Sequence, residues 1–226
     1  MRVAVMQPYL WPYAGYFRLL AASDVFVVFD CVQFIRRGRI HRNEFTRGAG
    51  DSDWFTLPLA RAGQCERIDG MRFADDAAGA FDERMLRFGP LAEAWHACAA
   101  RHGLSGPQPG APLVEWLHEQ LAALACTLGV RTRIVRSSAL AVDPALRAQQ
   151  RVLAICRRLG ARRYVNVAGG RELYDEAAFS ERGIALEFLP DYPGPKTSVI
   201  ERLFGPGAEA AETVRAEILA SLECLR

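Results

Sequence analysis

Residues 29–43 (Phe-Asp-Cys-Val-Gln-Phe-Ile-Arg-Arg-Gly-Arg-Ile-His-Arg-Asn) hold the densest set of reactive groups in the chain. An acid, a thiol and an amide (Asp30, Cys31, Gln33) stand where an apolar run ends. Two cations follow, Arg36 and Arg37, and the stretch closes on His41, Arg42 and Asn43. A cysteine beside a base or a cation can take up an acyl group as a thioester and pass it to an amine. If residues 35–43 fold back as a hairpin arm, His41 comes within hydrogen-bond reach of Cys31 as its general base. Asp30 can orient that imidazole only if the strand has already ended, because successive strand residues face opposite ways. The competing account is a buried strand-end cysteine followed by a basic surface loop carrying a surface histidine.

Two other segments could line a site. Residues 7–16 place Gln7, Tyr9, Trp11, Tyr13 and Tyr16 around two prolines, either as a rigid hydrophobic plug or as a preorganised wall for a flat or extended ligand. Gly15 would open the following helix so that its free amides face the pocket. Asn166, Gly169 and Gly170 form a strand-to-helix junction whose amides could meet an oxyanion or phosphate, or could be a simple turn. Lys196 is the chain's only lysine among many arginines. It is either a ligand contact in a polar loop or a mark of codon bias. His96, His102 and His118 lack partners at ligand spacing and read as surface or packing residues.

These groups need a scaffold. Arg2–Met6 and Asp24–Phe29 are apolar runs suited to parallel strands covered on both faces, and Ala14–Ala22 reads as the helix between them. Arg39–Phe45 and Trp54–Leu59 are expected as an edge pair around the turn at residues 48–51, with a further short strand at Ile68–Phe73. Residues 78–101 and Leu113–Leu128 carry helical spacing, and the Gly- and Pro-rich stretch 103–112 is a loop. The α/β rhythm resumes with strands Thr132–Arg136, Arg163–Val167 and Ile184–Leu189, and helices Pro144–Leu159, Ser198–Phe204 and one from Ala208. The expected fold is one α/β domain over residues 1–226. It is a Rossmann-like parallel sheet with helices on both faces and a mainly helical insert at 78–130. The loops after strands one and two and after Arg163–Val167 then fall at the carboxyl ends, where open parallel sheets bind ligands.

The 226 residues are half hydrophobic and carry a net charge of +2, too little to imply nucleic acid. The apolar run at the amino end is too short for a signal sequence or a spanning helix, so a cytoplasmic protein without membrane insertion is expected. The cysteines at 31, 65, 98, 126, 156 and 224 show no metal-ligand spacing. Cys98, Cys126 and Cys156 lie in helical apolar patterns and are expected to be small buried hydrophobes. No metal and no tightly bound cofactor is expected.

Met6-Gln7-Pro8-Tyr9, Pro12-Tyr13, Gly15-Tyr16-Phe17, Asp24, Asp30, Val32-Gln33-Phe34 and Arg42-Asn43, with Asn166, Gly169-Gly170, Leu173-Tyr174, Gly183-Ile184 and Ser198-Val199-Ile200, resemble the WbqC-like family. The resemblance runs from residue 1 to about residue 205. It implies transfer of a group onto an amino sugar or another amine. Cys31 and His41 stand where commoner members carry other residues, as a subgroup using a thioester intermediate would. The reading is an acyl or aminoacyl transferase. The donor is a phosphopantetheine thioester on an acyl or peptidyl carrier protein or coenzyme A, and Cys31, His41 and Asp30 are catalytic. Arg36, Arg37 or Arg42 would bind the donor's phosphate or acidic groups on the carrier. A more distant similarity to the HIGH-type nucleotidyltransferases leaves nucleotide-dependent activation as an alternative, although Tyr13 and Tyr16 stand where that family has histidines. A non-catalytic protein binding a carrier or a sugar nucleotide is the third possibility.

Overall fold

In the computed structural model, which describes residues 1–48, 51–205 and 207–223, the chain begins with β1 (Arg2–Met6). Val3, Ala4 and Val5 are buried, as an unbroken apolar strand covered on both faces must be. Helix α1 (Ala14–Ala21) returns the chain to β2 (Val25–Val28), whose four residues are all buried. β2 lies parallel to β1 in the register Val3↔Val25 to Met6↔Val28. β5 (Arg133–Arg136) adds to the outer side of β2, and β6 (Arg163–Val167) adds to the other side of β1. β7 (Ala185–Leu189) completes a five-stranded parallel sheet in the order β5-β2-β1-β6-β7.

The pleat sends alternate side chains to two cores. Ala4, Phe26, Val28 and Val165 join one with α1 and α4 (Leu113–Thr127). Val3, Val5, Val25 and Val27 join the other with α5 (Ala148–Leu159) and Phe179 of α6 (Glu176–Ser180). The fold is therefore the α/β, Rossmann-like arrangement expected, with helices on both faces. Because β1 is flanked by β2 on one side and β6 on the other, the strand order reverses there. The switch-point crevice opens beyond the carboxyl ends of β1 and β6.

Between β2 and β5 the chain forms an antiparallel hairpin, β3 (Arg42–Gly48) and β4 (Asp51–Thr56), paired Arg42↔Thr56 to Phe45↔Asp53. The helices α2 (Ala77–Met85), α3 (Pro90–Cys98) and α4 follow. Trp11 rivets this layer to the sheet, with the rings of Trp95, Phe55, Phe45 and Trp116 centred 5.0–6.0 Å from its own. Its φ of +44° is rare for a bulky residue. The conformation is held because the Trp11 carbonyl accepts hydrogen bonds from Asn43 Nδ2 at 3.0 Å and Ser198 Oγ at 2.5 Å. Helices α7 (Val199–Phe204), capped by the Ser198 hydroxyl, and α8 (Ala211–Glu223) end the chain.

Several expected boundaries move. β3 begins at Arg42 rather than Arg39, because the Arg39 carbonyl accepts from the Leu10 amide and is occupied outside the hairpin. Ile68–Gly70 is one 3-10 turn instead of a strand, and only isolated bridges follow at Arg72 and Phe73. α5 starts at Ala148 instead of Pro144. The Pro144 carbonyl is held there by the Arg151 guanidinium. Cys156 is fully buried, whereas Cys126 is exposed and Cys98 lies between. Part of the expected turn at 48–51, and Cys224, lie outside the described residues.

Candidate functional site

The switch-point crevice encloses about 270 Å³. Gln7, Tyr9, Tyr13, Gly15, Tyr16 and Arg39 line it, with Met6, Ile40 and Val167 among the apolar contributors. The Pro-containing loop after β1 provides the aromatic wall because it cannot become helix until Ala14. Tyr16 Oη donates to the Gln7 carbonyl at 2.8 Å, fixing the start of that loop. Tyr13 packs edge-on to Tyr192, 5.8 Å between centroids, so the loop 190–197 backs the Tyr13 ring. Gly15 is required by that contact. A Cβ there would lie 2.3 Å from the Tyr13 ring and 2.9 Å from Tyr192.

Arg39 brings the crevice its cation. Its guanidinium stands 5.9 Å from the Tyr9 ring centre, and Nη1 donates to Asn43 Oδ1 at 2.7 Å. Burial raises the Tyr9 phenol's pKa, against the pull of Arg39 beside it. Burial also raises that of Tyr13, helped by the Asp191 carboxylate. Both phenols are therefore protonated donors at neutral pH.

Cys31 and Asp30 lie one strand away, at the carboxyl end of β2 against β5. Asp30 is fully buried. Its Oδ1 accepts from Ser137 Oγ at 2.7 Å and the Ser138 amide at 2.8 Å, and its Oδ2 accepts from Ser138 Oγ at 2.6 Å. The same Ser137 Oγ stands 3.1 Å from Cys31 Sγ. The Ser137 hydroxyl also accepts from the Asp30 and Cys31 amides at 3.1 and 3.3 Å, which ties the end of β2 to the turn after β5. Arg151 approaches from α5, with Nη1 2.5 Å from the Cys31 carbonyl and 3.4 Å from its sulfur.

His41 does not join this group. No hydrogen bond among the described residues links it to Cys31 or Asp30. Its ring packs on Phe34, 4.9 Å between centroids, and its Nδ1 is buried without a hydrogen-bond partner. Burial first, then the charges of Arg42 and Arg36, lower its pKa to about 4. The hairpin arm expected to return it to Cys31 carries it to a different cavity.

The other expected residues scatter. Gln33 is exposed and donates to the Gln64 carbonyl, and Arg36 donates to the Ala62 carbonyl. Arg37 is exposed. Arg42 caps the Arg37 carbonyl and lies 4.2 Å over the Trp54 ring. Asn43 is buried under the loop after β1, where it donates to the Leu10 and Trp11 carbonyls. Asn166 is buried too, with its amide on Tyr164 Oη and on the Val167 amide. Gly170 presses against Asn166, Gly169 stands open, and Lys196 is exposed. Sequence reasoning missed Arg39, which it placed in a strand, and Ser137, Ser138 and Arg151, whose nearness to Cys31 no local spacing reveals.

Among the described residues no group of three or more His, Cys, Asp or Glu is arranged to hold a metal, and no helix is long and apolar enough to cross a membrane. No solved structure matches the chain significantly. It is 28% identical over 243 aligned residues to the uncharacterized protein Rv1507c of Mycobacterium tuberculosis, covering 95% of this chain and 97% of that relative. The sequence profile of the WbqC-like protein family matches residues 7–199, a span containing Cys31, Arg151 and all of the crevice lining except Met6, and the chain belongs to that family.

Proposed function

We propose that the chain is an acyl or aminoacyl transferase that moves an acyl group from a phosphopantetheine thioester, on a carrier protein or coenzyme A, to an amine. The observation that carries this reading is the Cys31 sulfur. It is partly exposed at the carboxyl edge of the sheet and faces Ser137 Oγ at 3.1 Å and Arg151 Nη1 at 3.4 Å.

In the first step the Cys31 sulfur forms a bond to the thioester carbonyl, the donor's C–S bond breaks and the Cys31 proton passes to the departing sulfur, so that the donor leaves as a thiol. Ser137 Oγ, 3.1 Å from the sulfur and bonded to Asp30, holds the thiol in place. Arg151 offsets negative charge on the sulfur. In the second step the amine nitrogen bonds to the acyl carbon, Cys31 leaves with its electron pair, and the proton lost by the nitrogen is taken up by the Cys31 sulfur. The amide and the free donor thiol are the only products. The crevice is the acceptor's place in this reading, where Arg39 and the Tyr9 and Tyr13 hydroxyls offer it polar contacts. This retains Cys31 as the nucleophile expected, whereas His41 takes no part and Asp30, expected to orient it, instead holds Ser137 beside the sulfur.

Intact-mass spectrometry after mixing the protein with an acyl-pantetheine thioester tests it. A covalent adduct on the wild type that is absent from Cys31→Ala supports the reading. Full amide formation by Cys31→Ala would replace the two-step route by direct transfer within the crevice.

Nucleotide activation has one supporting observation, the crevice at a strand-order reversal directly after a Pro-containing loop. Tyr16 counts against it, because its hydroxyl already donates to the Gln7 carbonyl and is not free for a phosphate. Calorimetric titration with ATP and CTP separates the two readings.

A further inference from the structure

A second cavity, of about 460 Å³, lies beside the hairpin and is lined on one side by Arg36, His41, Arg61 and Arg84. Apolar side chains, Phe34, Leu57, Leu59 and Met71 among them, form the rest, with Asp76 the single carboxylate. The wall between the two cavities is one turn of chain. Arg39 and Ile40 face the crevice and His41 faces this cavity.

Three arginines line this cavity, and none is paired with a carboxylate among the described residues. Arg84 Nη1 donates to the Thr56 carbonyl at 2.6 Å, and Arg36 Nη2 to the Ala62 carbonyl at 2.7 Å. Each is thus positioned by neutral backbone, which leaves its charge uncompensated and most of its five N–H donors unused. Arg61 is exposed at the rim and makes no hydrogen bond or ion pair among the described residues. The fourth group is His41, whose Nδ1 is sealed from solvent with nothing to bond. The ring itself lines the cavity, so an occupant lies against it.

From this arrangement we infer that the cavity is a binding site for a phosphate ester with an apolar or flexible body. A phosphate monoester offers three acceptor oxygens, enough for N–H donors from Arg36, Arg61 and Arg84 together. Cationic ligands are excluded by three unpaired positive charges around one carboxylate. The Phe34, Leu57, Leu59 and Met71 surface holds the body of the ester, and the volume suits a small organic molecule. The inference does not rest on acyl transfer, since it uses neither Cys31 nor the crevice. A phosphopantetheine arm and a free phosphate ester share this chemistry.

The test is a titration of the whole protein with inorganic phosphate, phenyl phosphate, pantetheine 4′-phosphate and pantetheine. It is read by calorimetry and by the His41 ring proton resonances, which are identified by their absence in His41→Gln. The site predicts saturable binding of at least one ester, a shift of the His41 signals ahead of those of His96, His102 and His118, and roughly tenfold or greater weakening with pantetheine. Arg61→Ala, which breaks no internal contact, should weaken the ester by roughly tenfold, the effect of one lost charge-assisted hydrogen bond. Tighter binding of pantetheine 4′-phosphate than phenyl phosphate supports the donor arm as occupant, and the reverse supports a free ester. No saturable binding of either ester, equal binding of pantetheine, or binding indifferent to Arg61→Ala with an unmoved His41 would overturn the site.

Discussion

The Asn43 side chain lies directly beneath the backbone of Trp11, its Nδ2 donating at 3.0 Å to the Trp11 carbonyl and at 3.0 Å to that of Leu10. Both carbonyls belong to the loop that walls the crevice, and Trp11 is held there in a left-handed conformation. Removing the amide leaves two buried acceptors without that partner, at roughly 1–3 kcal/mol each. Asn43→Ala should therefore lower stability by about 2–4 kcal/mol and the melting temperature by roughly 5–15 °C. Asn43→Asp should do no better, because a carboxylate cannot donate to a carbonyl. Recovery of wild-type melting by the Asp variant would disprove the latch.

Alkylation separates the cysteines. Cys156 is completely buried and its pKa is pushed up to about 12 by burial alone. Brief treatment of the native protein with iodoacetamide should label Cys31, Cys65 and Cys126 and spare Cys156, as peptide mass spectrometry would show. Labelling of Cys156 at the rate of Cys65 would contradict this burial.

His41 gives the fold a pH dependence of definite sign. Its ordinary value of 6.5 falls to about 4 in the folded chain through burial and two arginines. Between those values the unfolded chain binds a proton that the folded chain does not. Stability attributable to His41 is complete above pH 6.5, declines as the pH falls toward 4, and changes no further below that. His41→Gln should flatten this part of the profile in urea melts, and identical slopes from about pH 7 to pH 5 in both proteins would refute it.

Gly15→Ala tests whether the crevice or only the fold needs glycine. Alanine is the better helix former by roughly 1 kcal/mol, but its methyl must push apart Tyr13 and Tyr192. Overpacking of this kind costs about 1–3 kcal/mol. The net change in stability should be small while the acceptor's KM rises several-fold. An unchanged KM would show that these rings do not bound the acceptor site.

Much of the scaffold was legible because buried parallel strands must be continuous apolar runs. Val25–Val28 could hardly be anything else, and the position of the crevice followed from strand order. What could not be read was which polar residues at the strand ends face a ligand and which face the protein. Asn43, Asn166 and Asp30 stand at equivalent-looking positions, yet each is buried and committed to protein atoms. The partners responsible are remote. Asp30 bonds to Ser137, 107 residues later, and Cys31 meets Arg151, 120 residues later. The Cys31–His41 pairing failed for the converse reason. Ten residues of separation suggested proximity, but the Leu57 amide takes the His41 carbonyl and draws that segment toward β4.

The bond between Asp30 and Ser137 also orders events during synthesis. A ribosome delivers Asp30 with β1, α1 and β2, but more than a hundred further residues, including the hairpin and three helices, must emerge before Ser137 exists to meet it. Closing so long a loop is entropically slow, and β5 can dock on β2 only after it has closed. Until then the carboxylate and the thiol beside it stand open at the free edge of a nascent βαβ unit. The reactive corner of the molecule is thus sealed long after its own residues emerge, and translation that pauses within α4 would leave it exposed to chaperones and oxidants alike.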